Sequence, residues 1–164
     1  MKKPESFENK IIILDSVLSK EECAFLIEFY HAHGFTHEWS GTFPMKIDFN
    51  DAFVNSCAFK IRDNIKFMLS EHLEIDWCEV VQWPINSFKN AHFDTASNQT
   101  VFTSVTYLND DYDGGETFFV NDIKVTPKLG RTIYFDGQYY EHGVTKVENK
   151  TRYTLPIWYK YNPN

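Results

Sequence analysis

Gln99-Thr100-Val101-Phe102-Thr103-Ser104-Val105-Thr106-Tyr107-Leu108 alternates with period two. Val101, Thr103, Val105 and Tyr107 point to one face, and Phe102, Ser104, Thr106 and Leu108 to the other. β-Branched and aromatic residues dominate, as suits a pleated surface. The pattern recurs on both sides in shorter form. Glu79 to Trp83 reads as a short strand that Pro84 ends or places at an edge. Beyond the turn cluster Asp110-Asp111-Tyr112-Asp113-Gly114-Gly115, strands are predicted at Glu116 to Val120, Ile123 to Val125, Arg131 to Asp136, Gly143 to Val147 and Arg152 to Tyr161. Pro127-Lys128-Leu129-Gly130 supplies a further turn. Many short strands between regular turns predict a sandwich or barrel.

The first half is mixed. Lys10 to Asp15 reads as a buried strand. Ser19-Lys20-Glu21-Glu22 is a capping box, so a helix follows, with Ala24, Leu26, Ile27, Phe29 and Tyr30 on its apolar side and its end near Gly34. Gly34 to Asn50 reads as a long loop. A second helix is predicted from about Asp51 to Glu71, with Phe53, Cys57, Ile61, Ile65, Met68 and Leu69 on one stripe. The chain is therefore expected to be α+β, mainly β, and a single domain over 1–164, with helical support at about 15–75 and a β core at about 76–161.

Composition narrows the function classes. The chain has 164 residues and is 17% aromatic, which excludes general disorder. Its 16 Lys+Arg stand against 23 Asp+Glu, a formal net charge of -7, so nucleic acid is not the expected partner. Cys23, Cys57 and Cys78 are too scattered for a disulfide scaffold or a CxxC zinc site and read as free thiols in a reducing cytoplasm. Met1-Lys2-Lys3-Pro4-Glu5 leads into no apolar run beyond Ile11-Ile12-Ile13-Leu14, so neither a signal peptide nor a membrane span is expected.

His92-Phe93-Asp94 places an imidazole and a carboxylate on the same face of an extended chain. His142, in Glu141-His142-Gly143-Val144, supplies a candidate third ligand. Two His and one carboxylate form a facial set that leaves positions open and suits non-haem Fe(II). The alternative is a turn-capping Asp94 beside a hydrogen-bonded His92. Arg152 stands in the apolar strand Thr151-Arg152-Tyr153-Thr154-Leu155. Facing inward it needs an anionic partner, which a dicarboxylate would supply to its planar fork; facing outward it would pair with a surface acid.

Together these elements resemble the Fe(II)/2-oxoglutarate-dependent oxygenases, in their prolyl 4-hydroxylase-like branch. The resemblance runs from about Val80 to Tyr159. It covers His92-Phe93-Asp94, Tyr107-Leu108-Asn109-Asp110, Asp113-Gly114-Gly115-Glu116-Thr117-Phe118, Pro127 and Gly130 before Tyr134-Phe135, then His142-Gly143-Val144 and Arg152-Tyr153. It implies a double-stranded β-helix (jelly-roll) core carried by two N-terminal support helices. It implies His92, Asp94 and His142 as iron ligands, Arg152 as anchor for the distal carboxylate of 2-oxoglutarate, and Tyr107 as its assistant. Trp83 falls where many relatives carry tyrosine in the cosubstrate pocket; an indole only donates, so its contact there must differ. Thr103, on the Tyr107 face, is a candidate pocket residue. The resemblance implies a dioxygenase that uses Fe(II), 2-oxoglutarate and O2, with ascorbate as a candidate reductant, and releases succinate and CO2 as it hydroxylates a C–H bond. The expected substrate is a prolyl residue of a peptide or protein. The alternatives are a lysyl residue, a free amino acid or other small molecule, or a jelly-roll module that binds without turnover.

Other signals carry less. His31, His33 and His37 gather at a helix end, where cations suit the dipole, and no acid or Cys completes a metal set. The acids Asp110, Asp111 and Asp113 lack EF-hand spacing and read as a solvated loop. The Gly34 to Asn50 loop, with Trp39, Phe43 and Met45, is a candidate substrate lid or an ordinary connector.

Overall fold

The computed structural model describes residues 10–69, 72–94 and 99–162, without the side chains of 67–69. The readings that involve Met1 to Glu5, the Glu71 helix end and the side chains of Met68 and Leu69 lie outside the described residues.

Twelve strands and two helices appear among the described residues. Strand β1 (Ile11–Leu14) leads into helix α1 (Lys20–His33), then β2 (Phe43–Lys46) and α2 (Ala52–Leu69). The β region runs through β3 (Leu73–Trp83), β4 (Lys89–His92), β5 (Thr100–Tyr107), β6 (Asp113–Gly114) and β7 (Thr117–Phe119). It closes with β8 (Lys124–Val125), β9 (Thr132–Phe135), β10 (His142–Val144), β11 (Val147–Glu148) and β12 (Arg152–Tyr161). A six-stranded sheet has the order β1-β9-β5-β12-β3-β2, and a smaller one the order β4-β10-β7-β8; β11 and β6 form a separate ribbon. All the pairings are antiparallel.

Period-two alternation gives the large sheet two different faces. Cys78 and Val80 of β3, Phe102 of β5 and Leu155, Ile157 and Tyr159 of β12 join the main core. Helices α1 and α2 cover that face with Cys23, Leu26, Tyr30, Val54, Cys57, Ala58, Ile61 and Ile65. Tyr134 Oη donates to the Ile61 carbonyl at 2.8 Å and ties α2 to β9. The opposite face holds Trp77, Glu79, Val81 and Trp83 of β3, Thr103 and Val105 of β5, and Arg152, Thr154, Pro156 and Trp158 of β12, all lining a cavity that also touches β4, β7 and β10. The mainly β expectation with two support helices therefore holds.

Local chemistry explains the helix ends. Ser19 Oγ accepts from Glu22 N at 3.1 Å, and Glu22 Oε1 accepts from Ser19 N at 2.8 Å, so the capping box is complete. Asp51 Oδ1 accepts from the Phe53 and Val54 amides, each at 2.9 Å, and caps α2.

Several boundaries differ from expectation. The 34–50 segment is not all loop: β2 pairs with β3 from Phe43↔Gln82 to Lys46↔Glu79. Its four residues are too few to show a period, and only tertiary pairing defines them. The β3 strand starts at Leu73, and β4 was not foreseen at all. β1 is half exposed because it is an edge strand against β9 alone, with Ile13 44% exposed. In α2, Phe53 points outward and Val54 and Ala58 take its place in the core. The Gly143 to Val147 strand is divided: β10 pairs with β4 and β7, whereas β11 turns to β6.

Candidate metal and cosubstrate site

β4 ends at His92, and Asp94 follows just beyond it; His142 opens β10, paired directly with His92. The ligand atoms of His92, Asp94 and His142 lie within 4.8 Å of one another, the one such group among the described residues. Asp94 Oδ1 is 3.2 Å from His142 Nε2 and 3.9 Å from His92 Nε2. His92 Nδ1 is 2.8 Å from the Asn90 carbonyl, and His142 Nδ1 is 2.8 Å from the Tyr140 carbonyl. A carbonyl only accepts, so each Nδ1 carries a proton, and each ring directs its Nε2 toward Asp94. Two imidazole nitrogens and a carboxylate thus converge on one point. A divalent cation satisfies that arrangement, and two imidazoles with one carboxylate suit Fe(II).

The turn Asp136–Tyr140 orients two of these groups. The Gly137 carbonyl accepts the Asp94 amide at 2.9 Å, while the Tyr140 carbonyl holds His142. A Cβ on Gly137 would lie 2.6 Å from Asp94 Cγ, and nearer still to Oδ2, so only glycine lets the carboxylate sit there. The Thr103 hydroxyl donates to Asp94 Oδ2 at 2.7 Å. Burial alone would raise the Asp94 carboxyl. His142 and the hydrogen bond from Thr103, with His92, outweigh it and hold the group below the usual carboxylate range.

Arg152 is 1% exposed. Its Nε donates to the Gly115 carbonyl at 3.0 Å, and its guanidinium carbon lies 4.5 Å from the centre of the Trp83 ring and 5.4 Å from that of Tyr107. Among the described residues no carboxylate is within ion-pair reach of it. A buried cation held by one carbonyl and two ring faces calls for an anion, because an unpaired buried charge is costly. The carboxylate end of a dicarboxylate has the matching chemistry. Gly115, at φ 62, approaches Arg152 and Tyr112 so closely that a Cβ there would lie 2.8 Å from the Tyr112 ring.

The sequence-predicted residues separate by position. His92, Asp94, His142, Arg152, Thr103 and Trp83 all line one cavity of about 450 Å³. Thr103 spends its donor on Asp94. Trp83 Nε1 donates to Thr154 Oγ1 at 3.3 Å, so the indole offers the cavity a ring face rather than a hydrogen bond. Tyr107 is fully buried behind the wall: its hydroxyl lies 2.8 Å from Thr117 Oγ1 and accepts from the Thr117 amide at 3.3 Å, and Thr117 faces the cavity.

Three residues escaped the sequence reading. Tyr112, in the run read as a solvated loop, is 7% exposed although its acidic neighbours are exposed. Its hydroxyl is buried without a well-formed hydrogen bond and lies close enough to Arg152 to interact with it. Lys89 is 8% exposed and donates to the Trp39 and Ser40 carbonyls at 3.1 and 2.8 Å; burial pushes its ammonium down to about 8. Glu79 is 7% exposed. A lone Tyr, Lys or Glu among turn and strand residues carries no periodic signal; the strict alternation of Trp77, Glu79, Val81 and Trp83 was the available clue. The candidate lid contributes His37, Trp39, Thr42 and Pro44 to the cavity. Of the helix-end histidines, His33 Nδ1 lies 2.9 Å from the Phe29 carbonyl one turn back, and His31 Nε2 lies 3.1 Å from the Tyr153 hydroxyl. The three cysteines are buried free thiols. No helix among the described residues is long and apolar enough to cross a membrane.

Known proteins resemble this chain in sequence and in fold. Mouse (Mus musculus) prolyl 3-hydroxylase 2 is 36% identical over 69 residues, 38% of this chain and 10% of that protein. Human (Homo sapiens) prolyl 3-hydroxylase 3 matches at 36% over 69 residues, 9% of its length. This chain thus spans about a tenth of the curated relatives it matches. Among solved structures, the viral collagen prolyl hydroxylase of Paramecium Bursaria Chlorella virus-1, in its 2OG complex, has a TM-score of 0.78 at 19% identity, covering 95% of this chain and 98% of that one. A Pseudomonas putida prolyl-4-hydroxylase has a TM-score of 0.78 at 18% identity, covering 96% of each chain. These likenesses establish the jelly-roll fold. Residues 78–160, half of the sequence and the half that carries the converging ligands, match the model of the 2OG-Fe(II) oxygenase superfamily, and the chain belongs to that superfamily.

Proposed function

We propose that this protein is an Fe(II)- and 2-oxoglutarate-dependent hydroxylase of prolyl residues in a peptide or protein, acting as one domain over 1–164. The observation that carries the reading is the joint placement of a three-donor metal cradle and an uncompensated buried arginine in one cavity. The relatives' names supply the prolyl substrate.

His92, Asp94 and His142 would hold the iron. Iron with 2-oxoglutarate and O2 supplies the oxidation: one oxygen atom goes to the substrate C–H bond, the other to succinate, and CO2 leaves. The chain's own residues bind and orient. Arg152, packed on the Trp83 ring, would hold the distal carboxylate, with the Tyr112 hydroxyl near enough to add a further donor. Fixing both ends of the cosubstrate converts encounter into orientation, which lowers the entropic part of the barrier. Thr103 and the Gly137 carbonyl hold Asp94 in place. Trp39 and Trp158 add apolar ring surface to the cavity wall.

The test is succinate release from the Fe(II)-loaded protein with 2-oxoglutarate, with and without proline-containing peptides, together with the one-oxygen mass gain of the peptide. Peptide-stimulated succinate with that mass gain is expected. A protein that binds Mn(II) and 2-oxoglutarate but turns over none of the peptides would refute the prolyl assignment; one that binds neither would refute the site.

A further inference from the structure

The cavity has a second charged end that the metal and cosubstrate do not use. Glu79 lies on β3 on the same face as Trp83, two alternations away. Trp77 Nε1 donates to its Oε1 at 2.7 Å, and His37 Nε2 is 3.5 Å from the same oxygen. Oε2 has no hydrogen-bond partner among the described residues. Lys46 is the cross-strand partner of Glu79, yet it directs its ammonium over the Trp77 ring at 3.8 Å instead of forming an ion pair with the carboxylate. Trp158, paired across the sheet with Trp77 and with Thr103, walls the same end. Two strand spacings separate Trp77 from Thr103, so this end lies about 10 Å from the residue that holds Asp94.

We propose, building on the hydroxylase reading above, that Glu79, held by Trp77, and the Trp158 ring form a subsite for a cationic side chain, so that the substrate is a peptide with Lys or Arg beside the target residue. A buried carboxylate with one open oxygen is satisfied by an ammonium or guanidinium, and indole faces favour the same charge. Arg152 is at the cosubstrate end and Lys89 is engaged by the Trp39 and Ser40 carbonyls; nearer at hand, His37 meets only Oε1 and Lys46 lies over Trp77 without pairing with the carboxylate, which leaves Oε2 to an incoming cation. Burial raises the Glu79 carboxyl, and the Trp77 hydrogen bond, His37 and Lys46 offset this only in part. The chain's net charge of -7 draws basic peptides toward it.

The test is peptide binding to the Mn(II)- and 2-oxoglutarate-loaded protein, followed by tryptophan fluorescence. The probes are proline-rich peptides with Lys beside each proline, the same peptides with Gln in place of Lys, and Lys peptides with Ala in place of proline. The Lys peptide should bind on the order of 10- to 100-fold more tightly than the Gln peptide, the range of a charge-assisted contact. Glu79→Gln keeps the Trp77 hydrogen bond and should erase the difference. Glu28→Gln, an exposed change on α1, should preserve it and thereby separate the subsite from net charge. Equal binding of Lys and Gln peptides, a preference that survives Glu79→Gln, or a preference lost equally in Glu28→Gln would overturn the subsite. A Glu79-dependent preference for Lys peptides that needs no proline would uphold the subsite and refute the prolyl assignment instead.

Discussion

Gly137→Ala tests whether the backbone of the Asp136–Tyr140 turn builds the metal cradle. The new Cβ would stand 2.6 Å from Asp94 Cγ, where ordinary contact begins at 3.4 Å. Because Oδ2 would be nearer still, the carboxylate must retreat by at least roughly 0.8 Å or the turn must give way. Either movement strains two contacts at once. The Asp94 amide is bonded to the Gly137 carbonyl, and Asp94 Oδ2 takes the Thr103 hydroxyl at 2.7 Å. Loss of a supporting contact typically lowers metal affinity about 10- to 100-fold, and displacement near 1 Å in a reacting geometry costs on the order of 100-fold in rate. The expected result is Mn(II) affinity reduced by about 10- to 100-fold, read by calorimetry, with the unfolding transition still cooperative. Asp94→Asn serves as the reference for a cradle without its charge. Unchanged Mn(II) affinity in Gly137→Ala, with a native unfolding profile, would refute the argument that this turn seats the carboxylate.

Thr103→Val keeps the shape and removes the donor to a buried carboxylate. Stability should fall by about 1–3 kcal/mol in denaturant unfolding, because Asp94 Oδ2 is left unsatisfied, and Mn(II) affinity should fall with it. Arg152→Leu removes the buried cation, so the 2-oxoglutarate concentration needed for half-saturation should rise at least about 10-fold while Mn(II) binding is retained; loss of both together would argue for a collapsed site. Glu22 is held below its usual range: burial works against this, but Lys60 and the Ser19 contacts prevail. Its lowered folded pKa means that its stabilisation is present above the ordinary Glu value and is lost as pH falls through the folded one. Glu22→Gln should therefore cost stability near pH 7 and little near pH 3. Equal cost at both would contradict the linkage. Ile61→Ala, which empties the centre of the α2 contact, should cost about 2–5 kcal/mol.

Much of this protein was legible in one dimension because its signals are local. The capping box at Ser19 and Glu22 is a contact three residues apart, and the helix it starts lies where those residues place it. The alternation of β5 separates Thr103 and Val105 from Phe102, and the structure puts the first two in the cavity and the third in the core. His92 and Asp94 share a face because the chain there is extended, and the ordered series through Arg152 pointed to the family.

Other features exist only through distant contacts. β2 is a strand because β3 lies beside it, and β4 because β10 does; neither is long enough to announce its own period. Thr103 became a support for Asp94, and Tyr107 stands behind Thr117, because facing side chains on different strands compete for the same hydroxyls. Tyr112 is buried within an acidic turn because Gly115 brings the chain against Arg152. Glu79 is an ordinary strand residue in the sequence, and the closing of two sheets around it makes it a buried charge. Periodicity and spacing specify which way a side chain points; only the packed sheets decide what it meets there.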